Sequence, residues 1–265
     1  MTPLRQVGAP PSSDLRVVLL GLGAINRRVA QLVTDLLPNV RVVGSITRGG
    51  RPLDVALPPI RDAGQLAAVR ADIVVEAAGH EALKTWGLPS VRSSRTLIIS
   101  SVGALADDSF RQELERESAM CGSKVVLSPG AGAGVEALAA ASTLGITSVI
   151  HRIVKSPEAL GTIGVEDRKV VFAGTARQAA ARYPRNANTV VTTALASAGL
   201  DETRVEIVAD PAATRNSHEI LAEGPAGRIN ARIDNVPIHS SPKSSEQAAL
   251  AIVRLLRCAA SPLVI

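Results

Sequence analysis

Aromatic residues are nearly missing from this chain: Trp86, Phe110, Phe172 and Tyr183 are all that its 265 residues contain. Modules that stack nucleobases on exposed rings have nothing to build with here, and the core has to be filled by Ala, Val, Leu and Ile. Cysteine is equally scarce. Cys121 and Cys258 lie far apart and match no metal-ligand spacing, which argues against a disulfide framework or a zinc ribbon. They are expected as buried free thiols in a reducing, cytoplasmic setting. No apolar run approaches the ~18 residues of a bilayer-spanning helix. The longest early run, Val17 to Ile25, is punctuated by glycines and lacks a small-residue cleavage site, so no signal peptide is expected. The four histidines show neither HExxH nor paired spacing, which argues against a catalytic zinc. Ser217 lacks the G-x-S-x-G context of a hydrolase nucleophile.

What the chain has is aliphatic bulk and a modest basic surplus. It is 46% hydrophobic and 20% charged, with a mean hydropathy of +0.21, which is the composition of a globular protein. Its 29 basic residues (24 Arg, 5 Lys) against 24 acidic ones give +5. The basic residues are scattered rather than gathered in a run, so nucleic acid ranks last among partners, and no membrane association is expected.

The hydrophobic pattern divides the chain. Pro3, Pro10, Pro11, Ser12 and Ser13 make residues 1–15 read as a flexible tail. Arg16–Leu20 is a short strand, followed by Gly21-Leu22-Gly23-Ala24-Ile25-Asn26 and a helical recurrence of apolar residues until Pro38-Asn39. Val40–Ile46 is the next strand, which completes a βαβ unit in about thirty residues. Further strands at Ile73–Ala77, Thr96–Ser100 and Lys124–Ser128 alternate with helices around Glu81–Val91 and Asp108–Met120. Residues 16–125 therefore read as a Rossmann-type, doubly wound dinucleotide-binding domain.

Residues 126–241 read as a second α/β domain, suited to catalysis and dimerisation. Helices are expected at Val135–Thr143, Ala176–Arg182 and Ala187–Ala198, and strands at Ser148–Lys155, Lys169–Phe172, Arg204–Ala209, His218–Glu223 and Ile229–Ile233. The strands alternate polar and apolar residues, as in a mixed or antiparallel sheet with one face covered. Residues 242–265 hold an amphipathic helix, Ser244–Cys258, expected to return to the first domain.

The glycine turn carries the first chemistry. Gly21 permits the tight turn, and Gly23 lets backbone approach a pyrophosphate where the amides of Ala24, Ile25 and Asn26 open a helix. Asn26 stands at the third fingerprint position, where glycine is usual; it either crowds the helix–strand contact or reaches toward the ligand. No acid follows the second strand to take the ribose hydroxyls. The segment reads Ser45-Ile46-Thr47-Arg48-Gly49-Gly50-Arg51, so Arg48, helped by Ser45, Thr47 or Arg51, is a clamp for a 2′-phosphate. The reading therefore leans to NADP, with NAD as the alternative. Ala78-Gly79-His80 and Ser101-Val102 follow strands and lie at the carboxyl edge of the sheet, where dinucleotides bind. Pro129–Gly134, with three glycines around Ala131, allows another close approach or a hinge. In the second half, His218 shares a strand face with Ile220 and Ala222, while Glu219 points away. A histidine on an apolar face is usually structural. Here Arg215 and Asn216 precede it, a combination suited to an anionic substrate beside a titratable base.

These residues resemble the L-aspartate dehydrogenase family over nearly the whole chain after the tail. The matching segments are Gly21–Ile25, Val75-Glu76-Ala77-Ala78-Gly79-His80, Ser101–Leu105, Pro129-Gly130-Ala131, Gly174–Arg177, Tyr183-Pro184-Arg185-Asn186-Ala187-Asn188, Ala209-Asp210-Pro211, Asn216-Ser217-His218-Glu219, Asn235-Val236-Pro237 and Pro242-Lys243-Ser244-Ser245. The resemblance implies oxidation of aspartate with NAD or NADP, His218 as the active-site histidine, and Ala131 and Asn188 as cofactor contacts. Lys243 joins Arg215 and Asn216 as a substrate-binding candidate. It also implies a homodimer built on the second sheet. Many members carry an Arg-Lys-Pro run and a Trp-containing loop where this chain reads Val154-Lys155-Ser156-Pro157-Glu158-Ala159-Leu160, a change expected to bear on the substrate pocket. The alternatives are a reductase of another imine or a semialdehyde, and a catalytically silent NADP-binding sensor.

Overall fold

The computed structural model describes residues 14–47, 57–184 and 187–264, without the side chains of Pro242 and Lys243. The proline-rich stretch through Ser13, together with Arg48, Arg51, Arg185, Asn186 and the Lys243 side chain, lies outside the described residues. Chain order gives β1 (Leu15–Leu20), α1 (Ala24–Leu36), β2 (Val40–Ile46), β3 (Pro59–Ile60), α2 (Ala63–Val69), β4 (Ile73–Glu76), α3 (His80–Ser93), β5 (Thr96–Ile99), a 3-10 turn (Val102–Ala106), α4 (Asp108–Cys121) and β6 (Lys124–Leu127). Among the described residues the six strands pair in parallel in the order β3-β2-β1-β4-β5-β6. This order reverses between β1 and β4, the place where open α/β sheets bind ligands.

The second half runs α5 (Val135–Ser142), β7 (Ser148–Lys155), α6 (Pro157–Leu160), β8 (Lys169–Thr175), α7 (Ala176–Arg182), α8 (Asn188–Leu195), β9 (Arg204–Ala209), β10 (Asn216–Gly224) and β11 (Gly227–Asn235). The strand order is β11-β10-β7-β9-β8; β7 and β9 are parallel and the other pairs antiparallel, so the sheet is mixed. A small pair, β12 (Pro237–Ile238) and β13 (Ser241–Ser245), leads into α9 (Glu246–Ala260), whose N-terminus is capped by the Ser245 hydroxyl.

The core follows the aliphatic composition. Val17 and Leu19 face one side of the first sheet, where Val29, Leu32 and Val33 of α1 meet Ala249, Ile252, Val253 and Leu256 of α9. Val18, Leu20, Val74, Leu97 and Ile99 face the other side, and this packing continues through Val102 and Leu105 to Val190, Val191, Ile153 and Ile207 in the second half. The expected return of the C-terminal helix to the first sheet is observed. The thiols are not buried as expected: Cys121 is exposed at the end of α4 and Cys258 is half-buried. α4 has to show its last turn to solvent, because only Phe110, Leu114 and Ser118 face inward.

Candidate active site

The carboxyl edge of the first sheet is assembled around the β1 turn. Gly21 has φ +87°, and a Cβ there would sit 2.6 Å from the Cβ of Ala78, so the loops after β1 and β4 touch through backbone. α1 opens behind Gly23 without a side-chain cap or an acid in its first turn. Its leading amides, including those of Ala24, Ile25 and Asn26, are the ones a helix leaves without intrahelical partners, and with the dipole they suit an anion. A dinucleotide pyrophosphate fits this place. The Asn26 side chain turns inward to the backbone of the β1 turn. It is fully buried, and its amide donates to the carbonyls of Leu20 (2.9 Å) and Gly21 (2.8 Å), pinning the turn from within. Its contribution to the site is therefore a fixed backbone.

Glu76, at the end of β4, is a hub that the motif reading passed over. Its Oε1 accepts from the amides of Ala78 (2.7 Å) and Gly79 (3.1 Å) and from the Ser101 hydroxyl (2.7 Å), and its Oε2 accepts from the Ser101 amide (2.9 Å). Burial pushes its pKa up, and these four donors work against that shift by satisfying the charged form. Ser101 also accepts from the Gly79 amide (3.0 Å), so its hydroxyl is committed to the protein rather than offered to a ligand. The Val102 side chain is fully buried and offers a ligand only its backbone.

One step outward, Asn188 opens α8. Its Oδ1 accepts from the Gly103 amide (2.9 Å) and from His80 Nε2 (3.0 Å). Because that oxygen only accepts, His80 carries its proton on Nε2. Ile25, Ala77, Gly79, His80, Ser100, Ser101, Pro184 and Asn188 line an open cleft of about 300 Å³. Ala131 lies in the loop between β6 and α5. Its carbonyl accepts from Asn235 Nδ2 (3.1 Å), and Asn235 in turn accepts from the Ser245 hydroxyl (2.9 Å).

His218 lies on the helix-covered face of the second sheet, 6% exposed, with Ile220 and Ala222 as the alternation requires. Its Nδ1 is 2.9 Å from Nε2 of His151 on β7, which is fully buried. Burial lowers both pKa values, that of His151 to about 3; His218 is lowered further by His151 and by the charge of Lys155. Both rings are therefore neutral near pH 7. Lys155, whose own pKa is lowered by burial, shares this face by period two with His151 and Ile153, and Asn216 shares it with His218. Arg215 does not join them. It lines a groove on the opposite face with Val154, Ser217, Glu219, Arg232 and Asp234. There the bonds from Ser217 and Arg232, with the charge of Arg215 added, lower the pKa of Asp234. Odd positions on β10 simply face the other way. Ser45, named as a helper to Arg48, is buried in β2 and is not available to a loop.

α8 joins the two parts. Asn188 meets His80, and five residues later, about 7.5 Å along the axis, the Thr193 hydroxyl sits 2.9 Å from His151 Nδ1.

Comparison with known proteins agrees with this geometry. Residues 136–259 match the model for "Aspartate dehydrogenase, C-terminal", and residues 21–128 match the "Homoserine dehydrogenase, NAD binding domain". The L-aspartate dehydrogenase of Brucella anthropi is 42% identical over 253 residues, covering 91% of this chain and 94% of that protein. That of Pseudomonas aeruginosa is 34% identical over 258 residues, covering 91% and 96%. The crystal structure of aspartate dehydrogenase from Thermotoga maritima superposes with a TM-score of 0.79 at 26% identity, covering 95% of this chain and 99% of that one.

This chain belongs to the aspartate dehydrogenase family.

Within that family the altered segment is placed by the register of β7. Val154 lines the outer groove, away from His218. Lys155, the next residue, lies on the histidine side. The sequence reading missed His151, Lys155, Glu76 and Asn235. The first two were within reach of it: the strand Ser148–Lys155 was recognised, and counting every second residue places His151 and Lys155 on one face.

Proposed function

We propose that this chain catalyses the NAD(P)-dependent oxidative deamination of L-aspartate, and the reverse reaction: amino acid, water and oxidised cofactor give the 2-oxo acid, ammonia and reduced cofactor. The observation that carries this reading is a neutral, buried His218 tied through α8 to a dinucleotide-shaped sheet edge. The bound nicotinamide supplies the acceptor for the hydride that leaves the substrate α-carbon. Gly21, Gly23, Ala24 and Ile25 hold the pyrophosphate through backbone, and Gly79, His80, Ser101, Ala131 and Asn188 shape the nicotinamide end. Lys155, Asn216 and Lys243 take the substrate carboxylates. His218 removes a proton from the substrate ammonium, so that the lone pair on nitrogen can drive hydride loss. Once that proton has passed to solvent, His218 takes a proton from the water that adds to the imine and gives it to the departing ammonia, while the remaining hydroxyl proton leaves to solvent as the carbonyl forms. General base catalysis of this kind contributes roughly 10²–10⁴-fold.

The cofactor preference extends the reading to NADP through Arg48, since no acid follows β2 before residue 54. The assembly is read as a cytoplasmic homodimer closed over the outer face of the second sheet. On that face Arg152 bridges Glu206 (2.7 Å) and Glu219 (2.6 Å), while two cysteines far apart in the sequence suit a reducing compartment. No helix among the described residues is long and apolar enough to cross a membrane.

Absorbance at 340 nm with L-aspartate and a panel of other amino acids tests the activity. His218→Ala is expected to lose about 10²–10⁴-fold in kcat; near-wild-type turnover in it would overturn the role of the histidine. NADPH binding with no turnover of any amino acid would favour the sensor. An unchanged NADP preference in Arg48→Ala would remove the clamp.

A further inference from the structure

The base proposed above is not isolated. A chain of buried hydrogen bonds runs behind His218: its Nδ1 to His151 Nε2 (2.9 Å), His151 Nδ1 to the Thr193 hydroxyl (2.9 Å), and that hydroxyl to the Thr189 carbonyl (3.0 Å). His151 is fully buried, and the two rings meet nearly edge-on at 75°. The proton positions follow from the far end. The Thr189 carbonyl can only accept, so the single Thr193 hydroxyl proton points to it. Thr193 Oγ1 then presents lone pairs to His151, whose Nδ1 must carry the donor proton. A neutral imidazole has only one N–H, so His151 Nε2 is an acceptor. His218 must answer with Nδ1–H, which leaves its Nε2 as the nitrogen with a free lone pair.

We propose that His151 is a positioning residue for the reaction: with Thr193 behind it, it fixes His218 in the tautomer whose Nε2 is the proton acceptor. This rests on the reading of His218 as the base. The relay does for His218 what a carboxylate does for a catalytic histidine elsewhere, orienting the ring and selecting the tautomer, but with an uncharged partner. A carboxylate would raise the basicity of His218. A neutral imidazole instead leaves the base weak and unprotonated, matched to a site that also holds the Lys155 ammonium on the same face. When His218 takes a proton, His151 Nε2 stays an acceptor for the Nδ1–H of the imidazolium, so no rearrangement of the chain is needed. The groups that act on the charge of His218 are His151 and Lys155; the rest of its face is Asn216, Ile220, Ile153 and Ile233.

Three variants and one spectrum test this. Histidine-selective ¹⁵N spectra of the full chain near pH 7 are expected to show His218 and His151 both protonated on Nδ1. A His218 signal protonated on Nε2 would overturn the relay, whatever the activity. In His151→Leu, kcat is expected to fall about 10- to 10³-fold with little change in the KM for cofactor, and the His218 signal is expected to become a tautomer mixture. His151→Gln, whose amide oxygen can accept from His218 and whose NH2 can donate to Thr193, is expected to recover most of the lost kcat. Thr193→Val, which keeps both rings, is expected to cost less than His151→Leu. Equal losses in the Leu and Gln variants would overturn the proposal, as would wild-type kcat in His151→Leu with a folded circular dichroism spectrum. If His218→Ala alone keeps its activity while the spectra show the expected tautomers, it is the base assignment that fails and not the relay.

Discussion

At the scale of single residues, Glu76 shows how a buried charge can be structural without facing an opposite charge. Its two oxygens receive four donors from three residues, all in the loops that edge the cleft. Glu76→Gln changes hardly any volume but turns one acceptor into a donor, and that NH2 must face an N–H or O–H that itself donates. The expected cost is about 1–3 kcal/mol of stability, with weakened cofactor binding because the 78–79 and 101 loops lose their common anchor. Urea unfolding and NADPH fluorescence titration measure the two effects; a Gln variant with wild-type values in both would show that the hub is dispensable. The buried histidines make a second residue-scale claim, on pH. Their folded pKa values lie below the ordinary 6.5. Above pH 6.5 neither state binds the proton and stability is unaffected. As pH falls through 6.5 the unfolded chain takes up protons that the folded chain refuses, so stability falls, and for His151 it keeps falling until about pH 3. Between pH 7.5 and 5.5, above the carboxylate range, His151 is expected to remove about 1.4 kcal/mol, and His218 acts in the same direction. Removing one in His151→Leu should make that decline shallower in parallel unfolding titrations. An identical slope would mean that His151 is not held neutral.

At the scale of elements, the sequence was most informative where periodicity and turn chemistry agree. Strands β7 and β9 have the bounds that alternation suggests, and β1 with α1 follows from the glycine turn between an aliphatic run and a helical one. His218 faces its apolar neighbours for the same reason. What stayed hidden depends on register across long sequence separations. Nothing local says that Ile153 lies beside His218, or that β7 and β9 run parallel inside an otherwise antiparallel sheet. Arg215 precedes β10 and lies with Ser217 and Glu219 on the outer side, a placement that its neighbours in sequence do not display. The partners of Asn26 are backbone carbonyls, which the sequence does not display. The same dependence on packing makes Gly103, in the 3-10 turn, a test of the α8 contact. A Cβ there would come within 2.7 Å of His80 Nε2 and 2.9 Å of Asn188 Oδ1, and it would also block the amide that Asn188 accepts. Its φ is not among the positive ones, so strain of the backbone is not the issue. Gly103→Ala is expected to push the His80 and Asn188 side chains apart and to raise the cofactor Kd about tenfold, the loss of one to two hydrogen bonds. Fluorescence titration with NADPH reads this directly, and an unaltered Kd would detach the His80–Asn188 pair from the cofactor.

At the scale of the whole molecule, the two sheets are held in one arrangement by elements that cross between them. α8 and the 3-10 turn share one core with both sheets, Asn235 ties the 129–134 loop to the second sheet, and α9 returns from the end of the chain to α1. α9 binds by its apolar stripe, Ala249, Ile252, Val253 and Leu256, and by the ion pair of Arg28 with Glu246 at 2.5 Å. The ion pair is partly exposed, so it sets register more than stability, whereas the stripe is buried. Leu256→Ala is therefore expected to cost about 2–5 kcal/mol, while Glu246→Gln is expected to cost under about 1 kcal/mol. Because α9 packs on the face of the first sheet opposite the one that continues to His151, the Leu256→Ala protein should keep its kcat at temperatures where it is still folded. Thermal unfolding and turnover, measured on the same preparation, separate the two. A kcat that falls with no loss of melting temperature would mean that α9 acts on the chemistry rather than on the fold, and would call for a path from Leu256 to the cleft that the packing described above does not contain.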